Sequence, residues 1–219
     1  MDKRDFKDEI YGELQKVGKA VANRHRLELL DLLTQGSYTV EELADETAMS
    51  VANTSQHLQR LKKARLVATE REGTYIHYRL ATASVAAFMV SFRQLAEDRL
   101  PLINATVQSY FGDVPAGRWE ELIADIESDR AVLIDTRPEG EYRADHLPGA
   151  ISVPVDQLDE RRDELPKDKK LVAYCRGPYC TMAAEAVARL NEAGFDALRV
   201  EMSVQDYRHL HQSDTRDSA

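Results

Sequence analysis

The run Gly112-Asp113-Val114-Pro115-Ala116-Gly117 interrupts the chain near its middle with a composition that continues neither a helix nor a long strand. The patterning on its two sides differs. Before it, apolar residues return at steps of three and four; after it, short apolar runs are interleaved with helical periodicity. A chain of 219 residues broken in this way reads as two domains of roughly 100 residues, each able to bury a core. A content of 43% hydrophobic and 31% charged residues fits globular domains. No apolar run approaches the roughly 20 residues of a membrane span. The charged start Met1-Asp2-Lys3-Arg4-Asp5-Phe6 leads directly into helical periodicity. We therefore expect no secretory signal, no membrane partner and a cytoplasmic location.

The net charge of −9 argues against nucleic acid as a partner until it is divided by region. Residues 1 to 111 carry 15 Lys/Arg and 15 Asp/Glu, and residues 112 to 219 carry 14 and 23. All of the excess negative charge thus lies in the second half. Within the neutral half, Arg60, Lys62, Lys63, Arg65, Arg71 and Arg79 face only Glu70 and Glu72 between residues 50 and 80, a local basic patch.

In the first half, Phe6, Ile10, Leu14, Val17 and Val21 line one face of a helix, and Leu27, Leu30 and Leu33 mark a second helix that ends at Gly36. Thr39 and Glu42 form a capping-box pattern for a short third helix, and Ser50 is the N-cap of a fourth. On that fourth helix the 3.6-residue period places Val51, Ser55, Leu58 and Leu61 inward and Asn53, Gln56, His57 and Arg60 outward. Asn and Gln pair with adenine and Arg with guanine when a helix enters the major groove; a merely solvated polar face is the competing reading. Residues 69 to 80 alternate around Gly73 as a hairpin, with Arg71 placed to reach phosphate. A long helical segment from about Ser84 to Phe111 follows, with a kink expected at Pro101.

This order of elements, with Ser50-Val51-Ala52-Asn53-Thr54-Ser55-Gln56-His57-Leu58 and Leu61-Lys62-Lys63-Ala64-Arg65-Leu66-Val67, resembles the ArsR family of winged helix-turn-helix regulators over about residues 8 to 108. The resemblance implies a homodimer that binds double-stranded operator DNA through Ser50, Asn53, Thr54, Gln56, His57, Arg60, Lys63 and Arg71, with repression as the expected sense. Family members often sense metals, but the third helix holds no Cys and residues 84 to 111 hold no His. No metal site and no cofactor are expected.

In the second half, Trp119, Leu122, Ile123 and Ile126 start a new amphipathic helix. Val132-Leu133-Ile134 leads to Asp135-Thr136-Arg137, and Leu171-Val172-Ala173-Tyr174 leads to Cys175. A helix from Thr181 to Ala193 closes at Gly194, and Ala197 to Val200 is a third strand, giving a parallel α/β arrangement. Cys175 then falls at the carboxyl end of a strand, where ligands of such sheets sit. Backbone N–H groups of the loop 175 to 180 and the positive charge of Arg176 favour its thiolate. The alternative is a small buried hydrophobe.

The motifs Asp135-Thr136-Arg137, Glu141-Tyr142, His146-Leu147-Pro148-Gly149-Ala150 and Tyr174-Cys175-Arg176-Gly177 resemble the rhodanese family over about residues 117 to 210. The resemblance implies a persulfide on Cys175, filled from a sulfane sulfur donor and emptied to a thiol acceptor. Cys175, Arg176, Gly177 and Cys180 would form the site, with Asp135 and Arg137 in support or, alternatively, Arg137 ion-paired with Glu141. Two departures stand out: Pro178 removes one N–H from the loop, and Glu201-Met202-Ser203-Val204-Gln205-Asp206-Tyr207 replaces a Gly-rich segment. A phosphatase of this fold would carry Arg six positions after the Cys, where Thr181 stands.

Cys175 and Cys180 are the two cysteines of the chain. Cys180 is positioned to resolve a persulfide into a bridge, although an inert pair is also consistent with the spacing. The expected organisation is two domains, a mostly α winged helix-turn-helix at 1–111, a linker at 112–117, an α/β rhodanese-like parallel sheet at 118–212 and a disordered tail at 213–219. The expected function is a DNA-binding regulator that carries or senses sulfane sulfur. The alternative is a sulfurtransferase whose winged helix serves dimerisation or promoter targeting, and rhodanese-type enzymatic activity is compatible with both.

Overall fold

The computed structural model describes residues 1–214, and their side chains through residue 211. The chain forms two compact units, Met1–Met89 and Val90–Ala219. Residues 90 to 111 are thereby grouped with the C-terminal half. Among the described residues no helix is long and apolar enough to cross a membrane.

The first unit opens with α1 (Lys3–Val21), whose first turn is capped by Asp2, and α2 (Arg24–Leu32), capped by Asn23. The buried Arg26 guanidinium donates to the carbonyls of Lys19, at 2.9 Å, and Ala20, satisfying acceptors left over at the end of α1. Of the apolar stripe on α1, Val21 is buried while Phe6, Ile10 and Leu14 are exposed within the chain. The expected capping box opens α3 (Val40–Glu46): Thr39 N–H donates to Glu42 Oε2 at 2.7 Å and Glu42 N–H to Thr39 Oγ1 at 3.2 Å. Ser50 caps α4 (Val51–Lys63), and β1 (Val67–Glu72) pairs antiparallel with β2 (Tyr75–Leu80) around Gly73 at φ +60°. Leu29, Leu30, Leu43, Leu58 and Leu61 are fully buried in one core, which Val85 and Met89 of α5 (Ala83–Arg99) also join.

The second unit begins in α5 at Val90. The helical stretch breaks at Leu100, before α6 (Pro101–Phe111), because proline at a first helical position is tolerated where one inside a helix is not. Part of the expected linker is strand: β3 (Ala116–Gly117) pairs with β7 (Ala197–Val200). Among the described residues the sheet has five parallel strands in the order β3-β7-β6-β4-β5, with β4 (Ala131–Asp135), β5 (Ile151–Ser152) and β6 (Lys170–Tyr174). Around it lie α7 (Trp119–Glu127), α8 (Glu139–Ala144), the short α9 (Leu158–Arg161), α10 (Met182–Glu192) and α11 (Val204–Asp214). The central strands β4 and β6 read as continuous apolar runs because both faces are covered, one core holding Ile134, Leu171 and Ala173 and the other Leu133, Val172 and Tyr174. α11 ends at Asp214, and the rest of the expected tail lies outside the described residues.

Candidate functional site

Cys175 follows directly on the last residue of β6, and α10 starts at Met182, so the segment 175 to 181 joins strand to helix. A buried network holds the end of that strand. Tyr174 Oη donates to Asp135 Oδ2 at 2.5 Å and accepts from Leu147 N–H at 3.0 Å. Arg137 donates from Nε to Asp135 Oδ1 at 2.9 Å and from Nη2 to Asp135 Oδ2 at 2.6 Å, and its Nη2 also reaches the Asp145 carbonyl at 2.7 Å. Burial disfavours the Arg137 cation, but Asp135 more than offsets it and its pKa is raised; burial and Asp135 likewise push Tyr174 up. Arg137 pairs with Asp135 at 2.6 Å, and the Glu141 charge expected as its alternative partner also favours the Arg137 cation. Asp135 and Arg137 therefore act on the strand that presents Cys175.

Glu141 instead holds Arg176, with Nη2 2.6 Å and Nε 3.1 Å from Oε1. The pair is almost buried, so the positive charge expected beside Cys175 is largely neutralised. Gly177 adopts φ +135°, a conformation in which side-chain-bearing residues are strained.

Cys175 has only 2% of its surface exposed, while Cys180 is partly exposed. The Cys175 thiol donates to the Cys180 carbonyl at 3.6 Å. Burial pushes the Cys175 thiol well above its ordinary range, with the bond to Cys180 adding to the effect against the N–H groups of Ala183 and Gly177. Cys180 is lowered to about 7, chiefly because the Cys175 thiol donates to it, helped by the N–H groups of Arg176 and Met182 and by the Arg176 charge. The anion-favouring environment expected for Cys175 thus falls on Cys180 in the reduced loop. Sequence reasoning missed this, because it counted loop donors without the depth at which Cys175 sits.

On α4, Asn53, Gln56, Arg60 and Lys63 are exposed, as are Ser50 and, on β1, Arg71. Two of the residues expected to bind DNA turn inward: Thr54 is fully buried, its hydroxyl donating to the Ser50 carbonyl at 3.1 Å, and His57, read as outward, is 7% exposed. Val51, read as core, is 45% exposed. The buried set 54, 57, 58 and 61 is one helical stripe. Anchoring the pattern on the apolar Val51 rotated it by about one residue, or 100°. His57 faces the His25 ring at 5.5 Å between centroids, and burial, Arg26, His25 and Arg60 lower its pKa.

Comparison with known proteins bears on both units. The family model for bacterial regulatory proteins of the arsR family matches residues 23–69, and that for the rhodanese-like domain matches residues 118–209. The HTH-type transcriptional regulator Rv0324 of Mycobacterium tuberculosis is 38% identical over 205 residues, covering 93% of this chain and 91% of that protein. The tRNA sulfurtransferase of Pyrobaculum aerophilum is 35% identical over 85 residues, which cover 36% of this chain and 18% of that protein. The solution structure of the homodimeric winged helix-turn-helix DNA-binding domain (fragment 1–100) of Mb0332 from Mycobacterium bovis is 39% identical, with a TM-score of 0.43, covering 46% of this chain and 91% of that one. Likeness to Rv0324 along nearly its whole length, with a family match in each half, shows that the chain belongs to the HTH-type transcriptional regulators of the arsR family, in a form that carries a C-terminal rhodanese-like domain.

Proposed function

We propose that this regulator binds operator DNA as a homodimer in the cytoplasm and registers sulfane sulfur at Cys175, with Cys180 as its partner. The observation that carries the reading is that the two cysteines of the chain share one loop, where the Cys175 thiol donates to the Cys180 carbonyl at 3.6 Å. The exposed apolar residues of α1 supply a surface for the dimer. Ser50, Asn53, Gln56, Arg60, Lys63 and Arg71 form the DNA face, and Thr54 and His57 support it from within.

Cys180, the more acidic thiol of the pair, serves as the base that takes the Cys175 proton, and the Cys175 thiolate attacks the outer sulfur of a hydropersulfide, RSSH. The donor S–S bond breaks, RS− leaves, and Cys175 carries Sγ–SH. An anionic outer sulfur would be stabilised by the surrounding N–H groups. The test uses a duplex selected from a random-sequence pool by the reduced full chain, with intact-mass measurement in parallel. Sulfide-derived polysulfide should add 32 Da to the wild type, about the mass of one sulfur atom, and alter its affinity for the duplex. An equal response from Cys175→Ser would refute the reading.

A second reading, turnover as a sulfurtransferase, is favoured by the strand-end position of Cys175. Attack of cyanide on the outer sulfur of the Cys175 persulfide gives thiocyanate and restores the thiolate. Thiocyanate formation from thiosulfate that vanishes in Cys175→Ser supports it; absence of turnover with every sulfane donor tried removes it.

A further inference from the structure

Tyr179 precedes Cys180, yet its side chain leaves the sulfur site, with the hydroxyl donating to Glu97 Oε1 at 2.7 Å. Glu97 lies on α5, one turn beyond Arg93, and the two side chains pair at 3.6 Å. Arg93 also pairs with Asp206 near the start of α11. Its Nη1 lies close to the sulfur loop, since a side-chain carbon placed at Gly177 would stand 3.3 Å from it. Tyr179 is the loop residue whose hydrogen bond reaches α5. Asp206 is fixed in turn, accepting from Ser203 N–H at 3.0 Å and Ser203 Oγ at 2.6 Å. Arg93 is therefore anchored, whereas the Tyr179 contact with Glu97 is made by an exposed side chain.

Beside Tyr179 and Thr181 opens an apolar cavity of about 670 Å³, walled by Ile103, Val107, Tyr110 and Phe111 of α6. It offers the Tyr179 ring a second place to lie. α5 itself is continuous from Ala83, and its first turns supply Val85 and Met89 to the core of the first unit. The helix that bears Glu97 is thus the same element that supplies residues to that core.

Resting on the sulfur-sensing reading above, we propose that the Tyr179 to Glu97 hydrogen bond is a latch through which the bonding state of Cys175 and Cys180 sets the position of α5. The step that works it begins when Cys180 passes the proton it took from Cys175 to the released RS− or to water, after which the Cys180 thiolate attacks Sγ of the Cys175 persulfide. The bond between Sγ and the outer sulfur breaks, hydrosulfide leaves, and a Cys175 to Cys180 disulfide forms. The two cysteine sulfurs lose two electrons in total, and the sulfane sulfur gains them. Bridging brings the two free cysteine sulfurs to about 2.05 Å from one another. It draws residue 180, and Tyr179 with it, away from Glu97 and releases the ring into the cavity.

The latch is tested on the full chain with the selected duplex and inorganic polysulfide. The readouts are intact mass, reduced-state affinity and the change in affinity on treatment. Tyr179→Phe and Glu97→Ala should gain sulfur or form the bridge as the wild type does, but even when reduced they should bind DNA with the affinity of the polysulfide-treated wild type. Their response to polysulfide should fall from the 5- to 150-fold range of allosteric couplings to within about twofold. Glu97→Gln keeps an acceptor for the Tyr179 hydroxyl and should retain the response. If the wild type responds and Tyr179→Phe responds equally, the latch is wrong while the sensing reading stands. If the wild type forms the bridge with no change in affinity, both fall. Glu97→Ala and Glu97→Gln separate the latch from a general folding defect, and equal reduced-state affinities with equal responses in the two overturn the latch.

Discussion

Arg176 grips Glu141 and not the cysteine before it: its Nη2 stands 2.6 Å from Glu141 Oε1 in an almost buried pair. Removing one member of such a pair leaves a buried charge uncompensated. Glu141→Ala should therefore lower the stability of the rhodanese-like domain by about 3 kcal/mol, as read from urea unfolding. Glu141→Gln keeps an acceptor and should lose less. An unchanged midpoint in Glu141→Ala would show that Arg176 finds water instead.

Thiol reactivity should follow the split between the two cysteines. Thiolate grows as pH rises through the pKa, and Cys180 is lowered to about 7 while Cys175 is raised by burial. Alkylation of the reduced chain should thus rise through about pH 7 and modify Cys180 first, as mapped by peptide mass. In Cys180→Ser the remaining thiol should react slowly at pH 7 and accelerate only at clearly higher pH. A wild-type profile that rises only above pH 8 would contradict the lowered Cys180.

The network under β6 should behave as structure. Tyr174→Phe leaves the Leu147 N–H without its acceptor and should cost about 1–3 kcal/mol. Asp135→Asn weakens the hold on the buried Arg137 cation and should cost more, about 3–5 kcal/mol. Chemical denaturation distinguishes the two, and the reverse order would mean that Arg137 has a stronger anchor than Asp135.

At Gly177, φ +135° and the nearby Arg93 both oppose a side chain. Gly177→Ala should cost about 1–3 kcal/mol, and should slow persulfide formation by disturbing the N–H groups around Cys175. Intact-mass time courses measure the rate, and persulfide formation at the wild-type rate would separate the loop shape from the chemistry.

On the DNA side, Gln56→Ala should weaken binding to a selected duplex by about 1–3 kcal/mol and relax base preference. Lys63→Ala should weaken all sequences alike and reduce the salt slope by about one. His57→Ala should act through α4 packing, since His57 is buried, and lower the unfolding temperature. Binding assays at several salt concentrations with thermal melts on the same samples sort the three effects.

Local signals in the sequence carried most of the architecture. Thr39 with Glu42 announced the capping box, Gly73 the hairpin, Pro101 the break between α5 and α6, and the apolar runs at β4 and β6 the buried strands. The two-residue strands β3 and β5 escaped because a pair of residues has no period to detect. The inward turn of Thr54 and His57 escaped because polar residues on the core stripe of α4 read as surface. Partner identity was the least legible property. Arg176 with Glu141 and Tyr179 with Glu97 lie 35 and 82 residues apart, and charge alone does not choose among the available carboxylates.

The two edges of the five-stranded sheet are its two shortest strands, β3 and β5, each two residues long. An edge strand offers unpaired N–H and C=O groups that a foreign strand can extend. Edges this brief expose too few such groups in a row to template another chain. The sheet that leads into the cysteine loop is guarded in this way against strand addition, so the homodimer proposed above would associate through helices, where contacts dissociate without tearing hydrogen-bonded strands apart.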